Sequence, residues 1–397
     1  MNRWDKCRIK DAVSLRGIKA EDLTLPYIAL DNIVSWDAEY IPSESASDGN
    51  SNICEAGDIL FGKLRPYLAK AFIPKEKSIC SPEFLVMRPN KGTHNKFLLY
   101  FFLSKSFIAY IRNQVTGTKM PRTKWAEIGS VSITLPPLAE QEKISAYLDR
   151  ECEKIGRQIE LLERKADAYR RLRRSLINCA VTRGLNLNAP LKPSGIPWIE
   201  SIPTNWDIKR GKSILQEVYR DVRPEDGTVT CFRDGEVTLR TNRRTTGFTE
   251  SEKEIGYHGV RVGDLVIHQM DAFAGSIGIS DSDGKCSPIC IVCQPSHDDV
   301  DLSYYCQLLR VMAHSGFIQS LAKGIRERTT DFHYKTLVTL HFPVPPYKEQ
   351  QQIADYLDEK CGKIDAIIEK IGAKVERLKE LKRSLINEVV IGKRAII

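Results

Sequence analysis

The sequence predicts an α+β fold with a pseudo-twofold internal repeat. Two similar α/β domains are expected to be separated by a long antiparallel two-helix coiled coil. Three observations predict it: a segment that occurs twice, a heptad pattern of apolar residues in both copies, and short apolar runs ahead of each copy. The predicted boundaries are 1–135 for the first domain, 136–183 for the first long helix, 184–197 for a linker, 198–344 for the second domain and 345–397 for the second long helix.

The repeat organises the whole chain. Pro136-Pro137 recurs as Pro345-Pro346, and Glu140-Gln141 recurs as Glu349-Gln350 at the same shift. No gap is needed further on, where Ser-Leu-Ile-Asn ending at residue 178 recurs ending at residue 387. Because the period is about half of the chain, the repeat indicates a duplicated two-domain protein rather than a solenoid.

Each copy of the repeat predicts one long helix. Apolar residues recur in alternating steps of four and three, which is the spacing of a coiled-coil seam. Prolines stand at the start, where a missing N–H costs nothing, and Gly184 and Gly392 stand where the helices should end. The short linker 184–197 leaves the second domain near the far end of the first helix. If the second helix pairs with the first, it must therefore run back in the opposite direction, which gives an antiparallel pair. The predicted seam residues are Leu148, Cys152, Ile155, Ile159, Leu162, Ala166, Tyr169, Leu172 and Leu176 in the first helix and Leu357, Cys361, Ile364, Ile368, Ile371, Val375, Leu378, Leu381 and Leu385 in the second.

Short strands dominate the residues ahead of each helix. In the first domain, four apolar runs bounded by turn residues predict strands and one longer apolar stretch predicts a helix. The runs are Ala56–Phe61, Ala71–Pro74, Phe84–Met87 and Val131–Leu135, and the helical stretch is Phe97–Ile111.

The second domain repeats the plan of the first with much divergence. Trp206-Asp207 matches Trp4-Asp5, and Gly263-Asp264 matches Gly57-Asp58, but the sequence between these points differs almost completely. Such a pattern is expected of two domains that share one fold and recognise different targets.

Composition places the chain among globular proteins. Its 397 residues are 42% apolar and 28% charged, and no apolar run is long enough to span a membrane. The start, Met1 to Asp5, does not resemble a signal peptide. Eleven cysteines scattered through apolar contexts suit a reducing cytoplasm better than a disulfide framework. A net charge of +8 favours acidic partners without establishing nucleic-acid binding.

The doubled Pro-Pro-x-x-Glu-Gln motif, each copy behind a Gly-Asp-bearing domain, resembles the DNA specificity (S) subunits of type I restriction–modification systems. The resemblance covers essentially the whole chain. It implies two target-recognition domains, at 1–135 and 198–344, that bind a split asymmetric sequence in double-stranded DNA. It also implies that the helices dock methyltransferase (M) subunits, two copies suiting a pseudo-twofold pair, and through them restriction (R) subunits. No cofactor is expected on this chain, since S-adenosylmethionine would bind the methyltransferase subunit.

Basic residues in polar loops are the candidates for DNA contact, because guanidinium and ammonium groups reach guanine and phosphate. Gln269 is added as a possible adenine reader. The alternative for each is a solvated surface charge. The candidates are Lys63, Arg65, Lys119, Arg122 and Lys124 in the first domain, and Arg240, Arg243, Arg244, Gln269, Arg326 and Arg328 in the second.

Catalytic and metal sites are not expected. Cys290 and Cys293 are half of a zinc pattern, but residues three apart on a strand point to opposite faces. Pro345-Pro346-Tyr347 is similar to the end of an amino-methyltransferase motif, yet Val344 stands where an amide or carboxylate is needed. No phosphate-binding loop is present. Two alternatives to a specificity subunit stay open: a stand-alone DNA enzyme with a degenerate motif, and a coiled-coil scaffold that binds only protein.

Overall fold

The computed structural model describes residues 4–43, 47, 49–114, 120–243, 255–321 and 332–396. The chain forms two compact units. The first contains residues 1–165 and 370–397, and the second contains residues 166–369. Each long helix therefore contributes one portion to each unit. None of the described helices is long and apolar enough to cross a membrane.

The strands of the first unit are short and mostly antiparallel. Four of them form one sheet in the order β2-β8-β5-β6, while β1 pairs with β9, and β7 lies between β3 and β4. The strands are β1 (Asp5–Arg8), β2 (Val13–Arg16), β3 (Tyr27–Ile28), β4 (Asn52–Cys54), β5 (Ile59–Gly62), β6 (Ala71–Phe72), β7 (Ser78–Cys80), β8 (Phe84–Pro89) and β9 (Ser132–Leu135).

Four short helices and portions of both long helices complete the first unit. The helical stretch expected over 97–111 is two helices, because Ser104 caps the second one by accepting a hydrogen bond from the Phe107 amide at 3.3 Å. The short helices are α1 (Ile9–Ala12), α2 (Asn95–Phe102), α3 (Lys105–Arg112) and α4 (Trp125–Gly129), and the first long helix is α5 (Leu138–Arg183).

The second unit repeats this sheet. Its four-stranded order is β13-β20-β17-β18, and β12 pairs with β21 as β1 pairs with β9. The strands are β10 (Leu191–Ile196), β11 (Ile199–Pro203), β12 (Asp207–Arg210), β13 (Leu215–Glu217), β14 (Val229–Cys231), β15 (Val237–Leu239), β16 (His258–Val260), β17 (Leu265–His268), β18 (Ile277–Ile279), β19 (Gly284–Cys286), β20 (Cys290–Pro295) and β21 (His341–Val344).

The helices of the second unit include the end of α5 and the start of the second long helix. The remaining helices are α6 (Arg240–Arg243), α7 (Leu302–His314), α8 (Phe317–Ser320), α9 (Tyr334–Leu337) and α10 (Tyr347–Val390). Within the first unit the start of α5 and the end of α10 share one core, and within the second unit the end of α5 shares a core with the start of α10. The two long helices are thus antiparallel in both units, and the predicted α+β coiled-coil fold is confirmed.

Most predicted seam residues are buried or partly buried, but one pair is not. Leu148 and Leu357 are almost inaccessible, whereas Leu172 and Leu381 are 51% and 52% exposed. The prediction for Leu172 and Leu381 was wrong because the helix ends pack on the neighbouring sheet and helices rather than along a continuous heptad seam. The buried residues towards these helix ends are instead Ile177, Ala180 and Val181 in α5 and Ile386, Val389 and Val390 in α10.

The helix ends follow the expected glycines. Gly184 and Gly392 have φ values of 73° and 74°, the left-handed conformation that ends a helix. Residues 184–197, expected only to connect, contain β10, which pairs antiparallel with β11. Its alternating residues Ser194 and Ile196 are buried, so this segment belongs to the second unit.

Candidate nucleic-acid interface

The aspartate of each Gly-Asp pair holds the start of one strand in place, β5 in the first unit and β17 in the second. Asp58 is fully buried and accepts hydrogen bonds from the Glu55 amide at 2.9 Å and from Arg88 Nε at 2.8 Å. Asp264, also fully buried, accepts from the Arg261 amide at 2.8 Å and from Gln294 Nε2 at 2.9 Å. A buried carboxylate is tolerated only when its oxygens are paired, so these bonds hold β5 and β17 in equivalent positions.

Arginines complete both carboxylate sites. Arg220 binds Asp264 with two nitrogens, at 2.5 and 3.0 Å. Arg16 lies 3.7 Å from Asp58. Arg16 and Arg220 thus stabilise the two buried aspartates, and neither is among the residues that the sequence singles out.

The repeated Glu-Gln motif ties each long helix to its unit. Trp4 Nε1 donates to Glu140 at 3.3 Å, and Trp206 Nε1 donates to Glu349 at 3.0 Å. These tryptophans are the Trp-Asp matches noted in the sequence. Gly184 lies against this contact, since a Cβ there would come within 2.7 Å of a Glu349 oxygen.

The glutamines of the motif close the loops that lead into α2 and α7. The His94 amide donates to Gln141 Oε1, and the Asp301 amide donates to Gln350 Oε1, at 2.8 and 2.9 Å. Each glutamine also donates to the carbonyl of the first motif proline. The glutamate and the glutamine of each motif copy therefore both make contacts that hold the long helix to its unit.

Four of the predicted DNA contacts lie at one corner of the first unit. Lys63 follows β5, and its carbonyl accepts from the Thr123 amide at 3.0 Å, while the Arg65 amide donates to the Pro121 carbonyl at 2.8 Å. These bonds bring Lys63 and Arg65 beside Arg122 and Lys124. We call residues 63–65 with 121–124 the first corner.

The first corner has exposed cations and a strained backbone. Arg65, Arg122 and Lys124 are exposed. Arg122 pairs with Glu83 at 2.9 Å, which leaves its other guanidinium nitrogens to solvent. Arg65 has φ of 48° in the left-handed region, a conformation that costs about 1–3 kcal/mol for a non-glycine residue. Such strain places the Arg65 side chain outward at the start of a single turn, Pro66–Leu68.

The second unit has an equivalent corner built from different side chains. The Gln269 amide donates to the Ile289 carbonyl at 3.0 Å, and the Gln269 carbonyl accepts from the Phe332 amide at 3.4 Å. Lys63 makes the matching bonds with Glu83 and Thr123. Gln269 therefore takes the place of Lys63. We call residues 269–271 with Phe332 the second corner.

The residue of the second unit that corresponds to Arg65 has the opposite charge. Asp271 precedes the single turn Ala272–Ala274 as Arg65 precedes Pro66–Leu68. Arg233 pairs with Asp271 at 2.8 Å. The two corners thus offer lysine and arginine in one unit and a carboxamide with a paired carboxylate in the other.

The described candidates Arg240 and Arg243 lie on α6, outside the residues that form this corner. Arg240 begins α6, and its Nε lies 3.4 Å from Thr230 Oγ1. Arg243 pairs with Asp234 and Glu236 and lies 4.2 Å over the Phe232 ring, so its charge is compensated within the unit. The hydrogen bond from Arg243 lowers the pKa of Asp234. Lys119, Arg244, Arg326 and Arg328 lie outside the described residues.

The cysteine pattern has the geometry expected of core packing. Cys290 belongs to one small buried cluster and Cys293 to the main core of the second unit, on opposite faces of β20. Cys286 lies on a separate strand, β19. Burial raises the pKa of the Cys293 thiol, which keeps it protonated.

Comparisons with known proteins point to one family. The model for the type I restriction modification DNA specificity domain matches residues 17–165. The EcoDI specificity subunit of Escherichia coli is 25% identical over 150 residues, which cover 36% of this chain and 33% of that relative. The putative MjaX specificity subunit of Methanocaldococcus jannaschii is 23% identical over 372 residues, covering 85% of this chain and 78% of that protein. The match therefore spans a third of the E. coli relative's length.

Solved structures share the fold along the full chain. A chain from a study of complex assembly and conformational transition of the type I R-M system aligns with a TM-score of 0.73 at 19% identity, covering 99% of both chains. The HsdS subunit from Thermoanaerobacter tengcongensis aligns with a TM-score of 0.53 at 18% identity, covering 99% of this chain and 98% of that one. The repeated sheet, the doubled motif and these matches agree: residues 17–165 match the type I restriction modification DNA specificity domain, and the chain is similar to specificity subunits of type I restriction enzymes.

Proposed function

We propose that the chain is a non-catalytic, sequence-specific DNA-binding subunit in which each unit recognises one half of a split, asymmetric target in double-stranded DNA. The observation that supports this most is the pair of equivalent corners. One framework presents Lys63 and Arg65 in the first unit and Gln269 and Asp271 in the second. Arginine and lysine suit guanine and phosphate, and glutamine suits adenine, so the two halves would differ in sequence.

The long helices set the gap between the half-sites in this proposal. They also dock the methyltransferase subunits, two copies suiting a pseudo-twofold pair, with restriction subunits joining through the complex. S-adenosylmethionine would bind the methyltransferase. A heptad added to each helix should lengthen the spacing by about 10 Å, or about three base pairs. Methylated-adenine mapping in cells that carry the variant with its partner would measure the gap, and an unchanged gap would refute the proposed spacing role.

Single substitutions at the two corners test which unit reads which half. Gln269→Ala should relax recognition at one position of one half-site, at a cost of about 1–3 kcal/mol in discrimination. Lys63→Ala should affect the other half, or weaken all sequences and reduce the salt dependence if its contact is a phosphate. The same methylation maps provide the measurement.

Lys75→Ala is the matched control, since Lys75 is exposed in the first unit away from the corner. Specific binding that survives both corner substitutions unchanged would contradict the assignment. A target whose two halves change together under either substitution would also contradict it.

A further inference from the structure

A basic cleft lies between α5 and α7 within the second unit, away from the second corner. Its volume is about 820 Å³. Apolar side chains of Ile177, Val311 and Ile368 contribute to its lining, and Asp365 is the one acidic residue among the described lining residues. The cationic and titratable lining residues are Arg170, Arg173, Arg174, Arg310 and His314.

The acidic residues near the cleft do not balance its charge. Arg170 pairs with Asp167 at 2.6 Å, and Arg173 pairs with Asp365 at 3.1 Å. Arg310 instead donates to two backbone carbonyls, at 3.0 and 3.2 Å, which are neutral acceptors. Arg174 is exposed. A net positive charge therefore remains at the cleft.

The internal repeat provides a matching cleft in the first unit, of about 940 Å³. Its Lys379, Lys382 and Arg383 occupy the helix positions of Arg170, Arg173 and Arg174. The helix opposite also corresponds, because His94 and Asp301 bind the two motif glutamines in the same way. That alignment places Leu103 of the first cleft where Arg310 lies in the second.

A loop of the first unit, residues 34–41, covers the basic residues of the first cleft. Asp37 pairs with Lys382, and the Trp36 ring lies 5.0 Å below the Arg383 guanidinium. Trp36 has φ of 65° in the left-handed region, and its amide donates to the Ala69 carbonyl at 3.2 Å. The backbone is thus held in a costly conformation that places an aromatic ring and a carboxylate on the helix.

The corresponding basic side chains of the second cleft are more exposed. The Lys382 side chain is 12% exposed, whereas the Arg173 side chain is 34% exposed. Arg383 is half-buried, whereas its counterpart Arg174 is exposed. Between β13 and β16 the described residues of the second unit instead include the hairpin of β14 and β15, whose turn at Gly235 lies against Arg310 without lining the cleft.

We infer that the cleft between α5 and α7 binds an acidic segment of a partner protein that carries an aromatic side chain, in the way that residues 34–41 contact Lys382 and Arg383 at the first cleft. A carboxylate would pair with Arg173 or Arg174, and the ring would lie on a guanidinium above the apolar lining. Cation–aromatic stacking contributes about 0.5–2 kcal/mol. A DNA backbone would use the charge but not Ile177 and Ile368, so a peptide fits the lining better. The inference goes beyond the proposed function and does not depend on it.

The loop itself supplies the probe. A labelled peptide with the sequence of residues 30–42 is titrated into the full-length chain, and anisotropy is recorded. We expect binding that weakens at least tenfold when Arg173 and Arg174 are both changed to glutamate. It should also weaken when the tryptophan or the first aspartate after it in the peptide is changed to alanine.

Arg171→Glu is the matched control, since Arg171 is exposed on the same helix but does not line the cleft. It should leave peptide binding unchanged. Thermal unfolding confirms that each variant is folded, and Arg174→Gln replaces the double variant if that one unfolds.

Two results would overturn the inference. One is a peptide that does not bind, or that binds equally after the charge reversal. The other is an inert peptide together with DNA binding that the reversal weakens, which would make the cleft a nucleic-acid surface. Specific DNA binding by the unaltered chain is measured separately, so failure of the proposed function is told apart from failure of this one.

Discussion

The two units share three internal contacts: a buried aspartate, an indole N–H bonded to a glutamate, and a glutamine bonded to a loop amide. These contacts hold the same sheet against the same long helices. At the corner that this sheet supports, the first unit places Arg65 and the second places Asp271. The contacts that are kept are internal and fully paired. The side chains that change face solvent, where replacement costs little stability. The comparison indicates that the exposed corner residues can change while the internal framework is kept.

Substitution of the buried aspartates should give the largest difference in stability between the two units. Asp264→Ala should destabilise the second unit by about 3 kcal/mol, because it removes both bonds to Arg220, whose side chain is only 24% exposed, and leaves the Arg261 amide and Gln294 without this acceptor. Asp58→Ala should cost less, since the Arg88 side chain is 44% exposed, so that water can solvate it, and Arg16 lies 3.7 Å from the carboxylate where Arg220 makes two shorter bonds to Asp264. Denaturant unfolding of both variants provides the measurement. Equal losses would show that the bidentate arginine adds nothing.

The indole contacts should give a smaller difference of the same sign. Trp206 is fully buried and donates to Glu349 at 3.0 Å, whereas Trp4 is half-buried and donates to Glu140 at 3.3 Å. Hydrogen bonds to charged groups contribute about 1.5–3 kcal/mol, so Trp206→Phe should lose an amount in that range and Trp4→Phe less. Thermal unfolding would measure both. A larger loss for Trp4→Phe would mean that the two junctions are not equivalent.

Repetition made the fold predictable from sequence. Two copies of a heptad, two prolines, and glycines at matching positions predicted α5 and α10, and the structure places Gly184 and Gly392 at the helix ends. The strands followed from short apolar runs. The hairpin of β10 and β11 was missed because Pro193, Gly195 and Pro197 are typical of loops, and because one of the two buried residues of β10 is the polar Ser194.

The candidate site was predicted only in part. Lys63, Arg65, Arg122 and Lys124 were chosen one by one, and the structure brings them together through backbone bonds between residues far apart in sequence. Arg243, which has basic neighbours in the sequence, pairs with Asp234 and Glu236 in the structure. Composition shows that a charge is present, but only tertiary structure shows which charges are already paired.

The smallest expected effect is at Leu172 and Leu381, where the heptad pattern predicts burial and the structure shows exposure. Leu172→Ala and Leu381→Ala should each change the free energy of unfolding by less than about 0.5 kcal/mol, because both side chains are half exposed. If both leucines lay in a buried seam, each change would cost about 2–5 kcal/mol. Ile177→Ala and Ile386→Ala are the matched controls, since these neighbouring residues are at most 8% exposed and should show the larger loss. Denaturant unfolding of the four variants decides between the two, and a large loss at Leu172 with a small one at Ile177 would restore the heptad seam. The opposite result would mean that the helix ends are fixed by the unit beside them, so that a change in helix length would have to be made in the middle of α5 and α10 to leave both corners intact.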